Sequence, residues 1–161
     1  MPNPAYDDIL QELAAASPPL GARELMKEIT LRLGELPGFA WVGFYMIEPR
    51  HNAETEPMLV LGPFRGADTQ HKRIPLNQGI CGAAASSGET VVVDDVHSDP
   101  RYLACSIETQ SEIVAPIRVR GQVVGELDID SHSPAAFGPA ERALVERCAA
   151  AVGRLLENDH Q

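Results

Sequence analysis

The sequence predicts an α+β domain with one central antiparallel sheet flanked by helices at both ends of the chain. Amphipathic helical stripes stand near each terminus, short apolar runs separated by polar turns fill the middle, and the apolar content suits a single buried core. That content is 44% of 161 residues, punctuated throughout by 13 Gly and 13 Pro. Such a chain lies far from the composition of disorder.

Tyr6, Ile9, Leu10 and Leu13 recur at helical spacing and predict a short amphipathic helix ending before Ser17-Pro18-Pro19. A second helix carries Met26, Ile29, Leu33 and Leu36 on its buried face and stops at Pro37-Gly38. Phe39 to Ile47, dense in aromatic and branched residues around one Gly, predicts a strand buried on much of both faces, with Met58 to Phe64 as its hairpin partner. Arg50 to Glu56 is the polar loop between them. A polar stretch from Gly66 to Lys72 precedes a short helix over Ile80 to Ser87, bracketed by Gly79 and Gly88. Thr90 to Val93 is a brief strand, and Asp94 to Cys105 is a long irregular connection of the kind that more often carries function than not. Glu112 to Val119 and Val123 to Ile129 form a hairpin turning at Arg120-Gly121-Gln122. The closing helix opens at Gly138-Pro139 and buries Leu144, Cys148, Val152 and Leu155.

Charge narrows the function classes. With 13 Lys and Arg against 23 Asp and Glu the net charge is −10, which argues against nucleic acid and against an anionic membrane surface as partners. No apolar run reaches the roughly 20 residues of a membrane span, and Met1 to Asp8 has no leader-like basic and apolar regions, so a cytoplasmic location is expected. Cys81, Cys105 and Cys148 are an odd number at wide spacing, unlike a secreted disulfide framework or a CxxC metal site.

Two groups of residues point to chemistry. Cys105 closes a polar, Pro-containing loop, a setting suited to partial exposure, whereas Cys148 lies on a helix stripe and packs. Cys81 begins a helix, where terminal N–H groups would stabilise a thiolate, and two neighbouring thiols can cycle through sulfenic acid and disulfide. In Glu126-Leu127-Asp128-Ile129-Asp130 the alternation puts three carboxylates on one face; if that face is enclosed, burial and like charge leave one carboxyl able to donate a proton near neutrality. Glu112 joins them if the hairpin register allows. Trp41 and Tyr45 share a strand face and suit either core packing or an aromatic wall for a small ligand. Asp94, Asp95, His97 and Asp99 crowd one turn and read as solvated rather than metal-binding, while His51 and His132 show no partner pattern. Neither a metal nor a cofactor is expected.

The blocks Trp41-Val-Gly-Phe-Tyr45, Leu61-Gly-Pro-Phe64, Arg73-Ile-Pro75, Gly79-Ile-Cys81-Gly82, Asp95-Val-His97, Ala104-Cys105, Ser111-Glu112-Ile113-Val114 and Leu127-Asp-Ile-Asp-Ser131 together resemble the free methionine-R-sulfoxide reductases, the enzymatic branch of the GAF-domain superfamily. The resemblance covers about residues 39–131. It implies a single GAF domain over residues 1–161, with a helical N-terminus at 5–36, the sheet and active-site loops at 39–131 and a C-terminal helix at 138–157. It further implies a homodimer that reduces the R-sulfoxide of free methionine, with thioredoxin or a small thiol as reductant. On this resemblance Cys105 matches the sulfoxide-attacking cysteine and Cys81 its second cysteine. Trp41 and Tyr45 match the aromatic wall, and Glu112, Asp128 and Asp130 the substrate-binding carboxylates. Family members commonly carry a further, resolving cysteine two residues before the Arg-Ile-Pro block, where this chain has His71. Resolution then falls to Cys81 or to an external thiol. Two other readings stay open at this level: a non-catalytic GAF module that senses a small molecule, and a peroxide-responsive thiol protein pairing Cys81 with Cys105.

Overall fold

The computed structural model describes residues 3–16, 20–48, 56–103 and 107–159. The elements in order are α1 (Pro4–Ala16), α2 (Ala22–Leu33), β1 (Trp41–Glu48), β2 (Met58–Arg65), β3 (Arg73–Pro75), α3 (Gly79–Ser87), β4 (Val91–Val93), β5 (Ser111–Val119), β6 (Gln122–Ser131) and α4 (Pro139–Asp159), with a 3-10 turn at Val96–Ser98 between β4 and β5. The expected α+β architecture is present. Six strands form one sheet in the order β3-β2-β1-β6-β5-β4, and every neighbouring pair is antiparallel.

Strand alternation divides the molecule into two layers of core. Val42 and Phe44 of β1, Ile113, Ala115 and Ile117 of β5, and Leu127 and Ile129 of β6 point to the face covered by α1, α2 and α4. Cys148 is fully buried in that layer, where burial pushes its thiol up to about 12. On the other face Trp41, Tyr45 and Val114 pack with Ile80, Cys81 and Ala84 of α3. The candidate site lies on this second face.

Several boundaries differ from the sequence reading. The second helix ends at Leu33, where the Gly34 N–H donates to the Thr30 carbonyl, and Leu36 packs half-buried from the turn beyond. The β5–β6 turn is the two-residue Arg120-Gly121 pair, both at positive φ (52° and 81°), and Gln122 already pairs with Val119. Strand β3 lies between the polar stretch ending at Lys72 and the helix expected from Ile80, where the sequence reading has no element: three residues ending in Pro75 carry no periodicity, and such a strand is tolerated at a sheet edge, where this one sits. Within the long connection, the Asp95 carboxylate accepts from the Ser98 hydroxyl and the His97 N–H, which holds it below the usual carboxylate range. Most of the Arg50 to Glu56 loop, the Ser17-Pro18-Pro19 stop and His51 fall outside the described residues.

Candidate active site

The register of β1, β6 and β5 lays the candidate residues out as a grid on one sheet face. Trp41 stands opposite Asp130 and Asp130 opposite Glu112; Gly43 opposite Asp128 and Asp128 opposite Val114; Tyr45 opposite Glu126 and Glu126 opposite Pro116. Glu112 therefore joins the acidic group, the outcome that depended on register. All four carboxylates are buried: Glu126 0%, Asp128 3%, Glu112 6% and Asp130 6% exposed. No ion pair among the described residues reaches Glu126, Asp128 or Asp130. Both Glu126 oxygens, Asp128 Oδ1 and Asp130 Oδ1 lack a hydrogen-bond partner there.

Burial dominates the electrostatics. It raises Glu126 and Asp130 well above the ordinary carboxyl range, with the Asp128 charge adding to both, and it raises Asp128 as well. Hydrogen bonding to the Glu112 carboxyl acts in the opposite direction on Asp128 and Asp130, a contact that two carboxyls make only when one holds a proton.

Cys81, in the first turn of α3, donates to Asp128 Oδ2 at 3.4 Å. Here the structure corrects the expected thiolate stabilisation. Burial, then the charges of Asp128, Glu126 and Glu112, push the Cys81 thiol well above its usual value, and the helix start does not offset them. Cys105 lies outside the described residues; it follows Leu103 by two positions in the chain.

The aromatic pair shapes the opening. Trp41 and Tyr45 have ring centroids 6.3 Å apart, and Trp41 stacks on Phe64 at 5.7 Å. Each also ties down the loop of residues 66–72: Trp41 Nε1 donates to the Ala67 carbonyl at 3.0 Å and the Tyr45 hydroxyl to the His71 carbonyl at 2.7 Å. A cavity of about 140 Å³ opens between this loop and the acidic strand, lined by Trp41, Tyr45, Thr69, Asp128 and Asp130 among others. Asp128 also lines a smaller void of about 20 Å³ with Cys81, Glu112 and Leu103. Asp128 thus touches both spaces, with Asp130 on the outer one and Glu112 on the inner one.

Some contributors were not singled out from the sequence. Thr69 and Glu108 line the cavity, and no spacing signal marks them. His132, seen without a partner pattern, meets Glu108 at 3.6 Å on the cavity rim. Gly43 had a signal, as the one glycine in a dense strand. A Cβ there would stand 2.3 Å from Trp41 Cη2, so the indole can lie across the strand only above a glycine.

Residues 22–156 match the GAF domain family. The chain is 37% identical to a free methionine-R-sulfoxide reductase of Saccharomyces cerevisiae, over 71% of this chain and 61% of that one. Among solved structures it resembles the type II free methionine-R-sulfoxide reductase of Thermoplasma acidophilum, with 38% identity, TM-score 0.77, and coverage of 85% of this chain and 93% of that one. It also resembles the free methionine-R-sulfoxide reductase of Neisseria meningitidis in complex with its substrate, with 31% identity, TM-score 0.88, and coverage of 100% and 95%. The matched stretches span 50% to 61% of the length of three of the curated relatives. The sheet order, the helix placement and these similarities agree: the chain belongs to the GAF-domain family, on the branch that includes the free methionine-R-sulfoxide reductases.

Proposed function

We propose that this protein reduces free methionine-R-sulfoxide to methionine. The observation that carries the reading is the pair Asp128 and Asp130, each with a buried carboxylate oxygen that lacks a partner among the described residues, lining a cavity walled by Trp41 and Tyr45. Free methionine sulfoxide differs from a peptide-bound residue in its ammonium group, and a buried carboxylate gains most from such a charge-assisted partner. Asp130 and Asp128 line the cavity and receive the ammonium; Trp41 holds the methyl end.

Cys105 is the nucleophile of this reading and Cys81 is not. A resting thiol hydrogen-bonded to Asp128 and pushed well up by burial is a poor attacking group. The Cys105 thiolate attacks the sulfoxide sulfur, the S–O bond breaks, and the oxygen takes a proton from the carboxyl cluster and ends on Cys105 as a sulfenic acid. Two electrons pass from the cysteine to the substrate, which leaves as methionine. A second thiol, Cys81 or an external one, then attacks the sulfenic acid to form a disulfide and release water; thioredoxin or a small dithiol restores the thiols. His71 cannot take that second step, since an imidazole forms no disulfide with a sulfenic acid. A homodimeric, cytoplasmic single domain over residues 1–161 completes the reading, and no helix of the described residues is long and apolar enough to cross a membrane.

The deciding experiment supplies separated sulfoxide epimers with dithiothreitol. The R epimer of free methionine sulfoxide is consumed, while the S epimer and peptide-bound sulfoxide are left largely untouched. Saturable binding of the R epimer without turnover would move the chain to the sensor class.

A further inference from the structure

We propose that Cys81, Glu112 and Asp128 form a binding site for a divalent cation of the zinc class, filled when the cavity holds no organic ligand. The Cys81 sulfur and one oxygen from each carboxylate lie within 4.8 Å of one another, and all three residues are buried. The Cys81 Sγ to Asp128 Oδ2 separation is 3.4 Å. A tetrahedral centre with metal–sulfur bonds of about 2.3 Å and metal–oxygen bonds of about 2.0 Å has a sulfur–oxygen edge of about 3.5 Å. That pair already stands at the spacing of two zinc ligands, and Glu112 approaches from the neighbouring strand.

A second observation points to a missing positive group. Glu126 is fully buried on the same face of β6, its carboxyl is set against the Cys81 thiol, and neither of its oxygens has a partner among the described residues. Asp128 Oδ1 is likewise unpartnered. A buried acid with unsatisfied oxygens demands an explanation, and a cation held by Cys81, Glu112 and Asp128 beside it supplies one. Ligand chemistry selects the cation: a thiolate disfavours magnesium and calcium, whereas zinc accepts mixed sulfur and carboxylate sets. Three protein ligands leave a fourth position for water, with Glu126 as an outer partner beside the thiol. On binding, metal–sulfur and metal–oxygen bonds form, and both the Cys81 S–H proton and the proton shared between the Glu112 and Asp128 carboxyls leave to solvent; no group changes oxidation state. Sequence spacing conceals the site because its ligands come from α3, β5 and β6.

The test titrates reduced, chelator-treated protein carrying Cys105→Ser with Co2+ and then with Zn2+. A single Co2+ per chain is expected, with sulfur-to-cobalt charge-transfer absorption that Zn2+ displaces. Cys81→Ser removes that absorption. Asp128→Asn, which keeps the side-chain shape, weakens Co2+ binding at least tenfold, and Glu126→Gln weakens it roughly tenfold to a hundredfold, as loss of an outer partner does. The assignment is overturned by absence of saturable binding, by charge-transfer absorption that survives Cys81→Ser, or by unchanged affinity in folded Asp128→Asn. Because Cys105→Ser removes the proposed nucleophile, the absorption is read without turnover and stands or falls separately from the reductase reading.

Discussion

The Cys81 thiol on α3 donates its hydrogen bond to Asp128 Oδ2 on β6 at 3.4 Å. This contact joins a helix and a strand that are remote in sequence and puts a nucleophilic atom and an acid in one buried space. Burial makes both harder to ionise, and the Asp128 charge adds to this for the thiol, whereas the thiol's hydrogen bond works the other way on Asp128 and favours its carboxylate. The consequences are measurable.

Cys81 should resist alkylation. Burial is the first cause of its raised pKa and the neighbouring carboxylates add to it, so iodoacetamide labels it slowly at neutral pH. Asp128→Asn removes one of those charges, lowers the thiol pKa and speeds labelling at a given pH, while Cys148, pushed up to about 12, stays inert until the protein unfolds. Peptide mass spectrometry after timed labelling reads both thiols.

Glu126→Gln should stabilise the protein as pH rises. Glu126 has a folded-state pKa well above its unfolded value, so the folded form holds the proton more tightly. Its contribution is fully present below the unfolded carboxyl pKa, about 4.3, and is lost as pH climbs through the folded value. The neutral isostere removes that loss. At alkaline pH its Tm should exceed that of the parent by about 2–4 °C for each kcal/mol relieved, with the gap closing toward pH 4. Equal Tm shifts at all pH values would contradict the assignment.

Gly43→Ala should disturb substrate handling through Trp41. The added Cβ meets the indole at 2.3 Å, so the ring must leave its place between Phe64 and the cavity. On the proposed substrate, kcat/KM is expected to fall roughly tenfold to a hundredfold, mostly through KM. Trp41 is the sole tryptophan, so its fluorescence reports the displacement directly.

Asp128→Asn and Asp130→Asn should each lower turnover of free methionine-R-sulfoxide by about 10²–10⁴, the usual worth of a positioned acid or base. Rates within a factor of a few of the parent in both variants would return β6 to a structural role.

Much of this arrangement was legible in the chain. Period-2 alternation along residues 126–130 is a property of any strand, so three carboxylates on one face and Leu127 and Ile129 on the other follow from the residues alone. The same holds for the shared face of Trp41 and Tyr45 and for the helical stripes at both ends. Strand β3 was not legible, because at a sheet edge three residues ending in proline carry no pattern for local reasoning to find.

The tertiary structure decided what encloses that face. The β5–β6 register brought Glu112 opposite Asp130, α3 set Cys81 against Asp128, and two aromatic hydrogen bonds drew the loop of residues 66–72 over the cavity. Enclosure turned an alternating strand into a buried acidic pocket. It also reversed the expectation for Cys81, since a helix terminus favours a thiolate locally while desolvation, which depends on everything packed around the sulfur, opposes it more strongly. Local periodicity is written along the chain; dielectric environment is a sum over neighbours that only the folded molecule assembles.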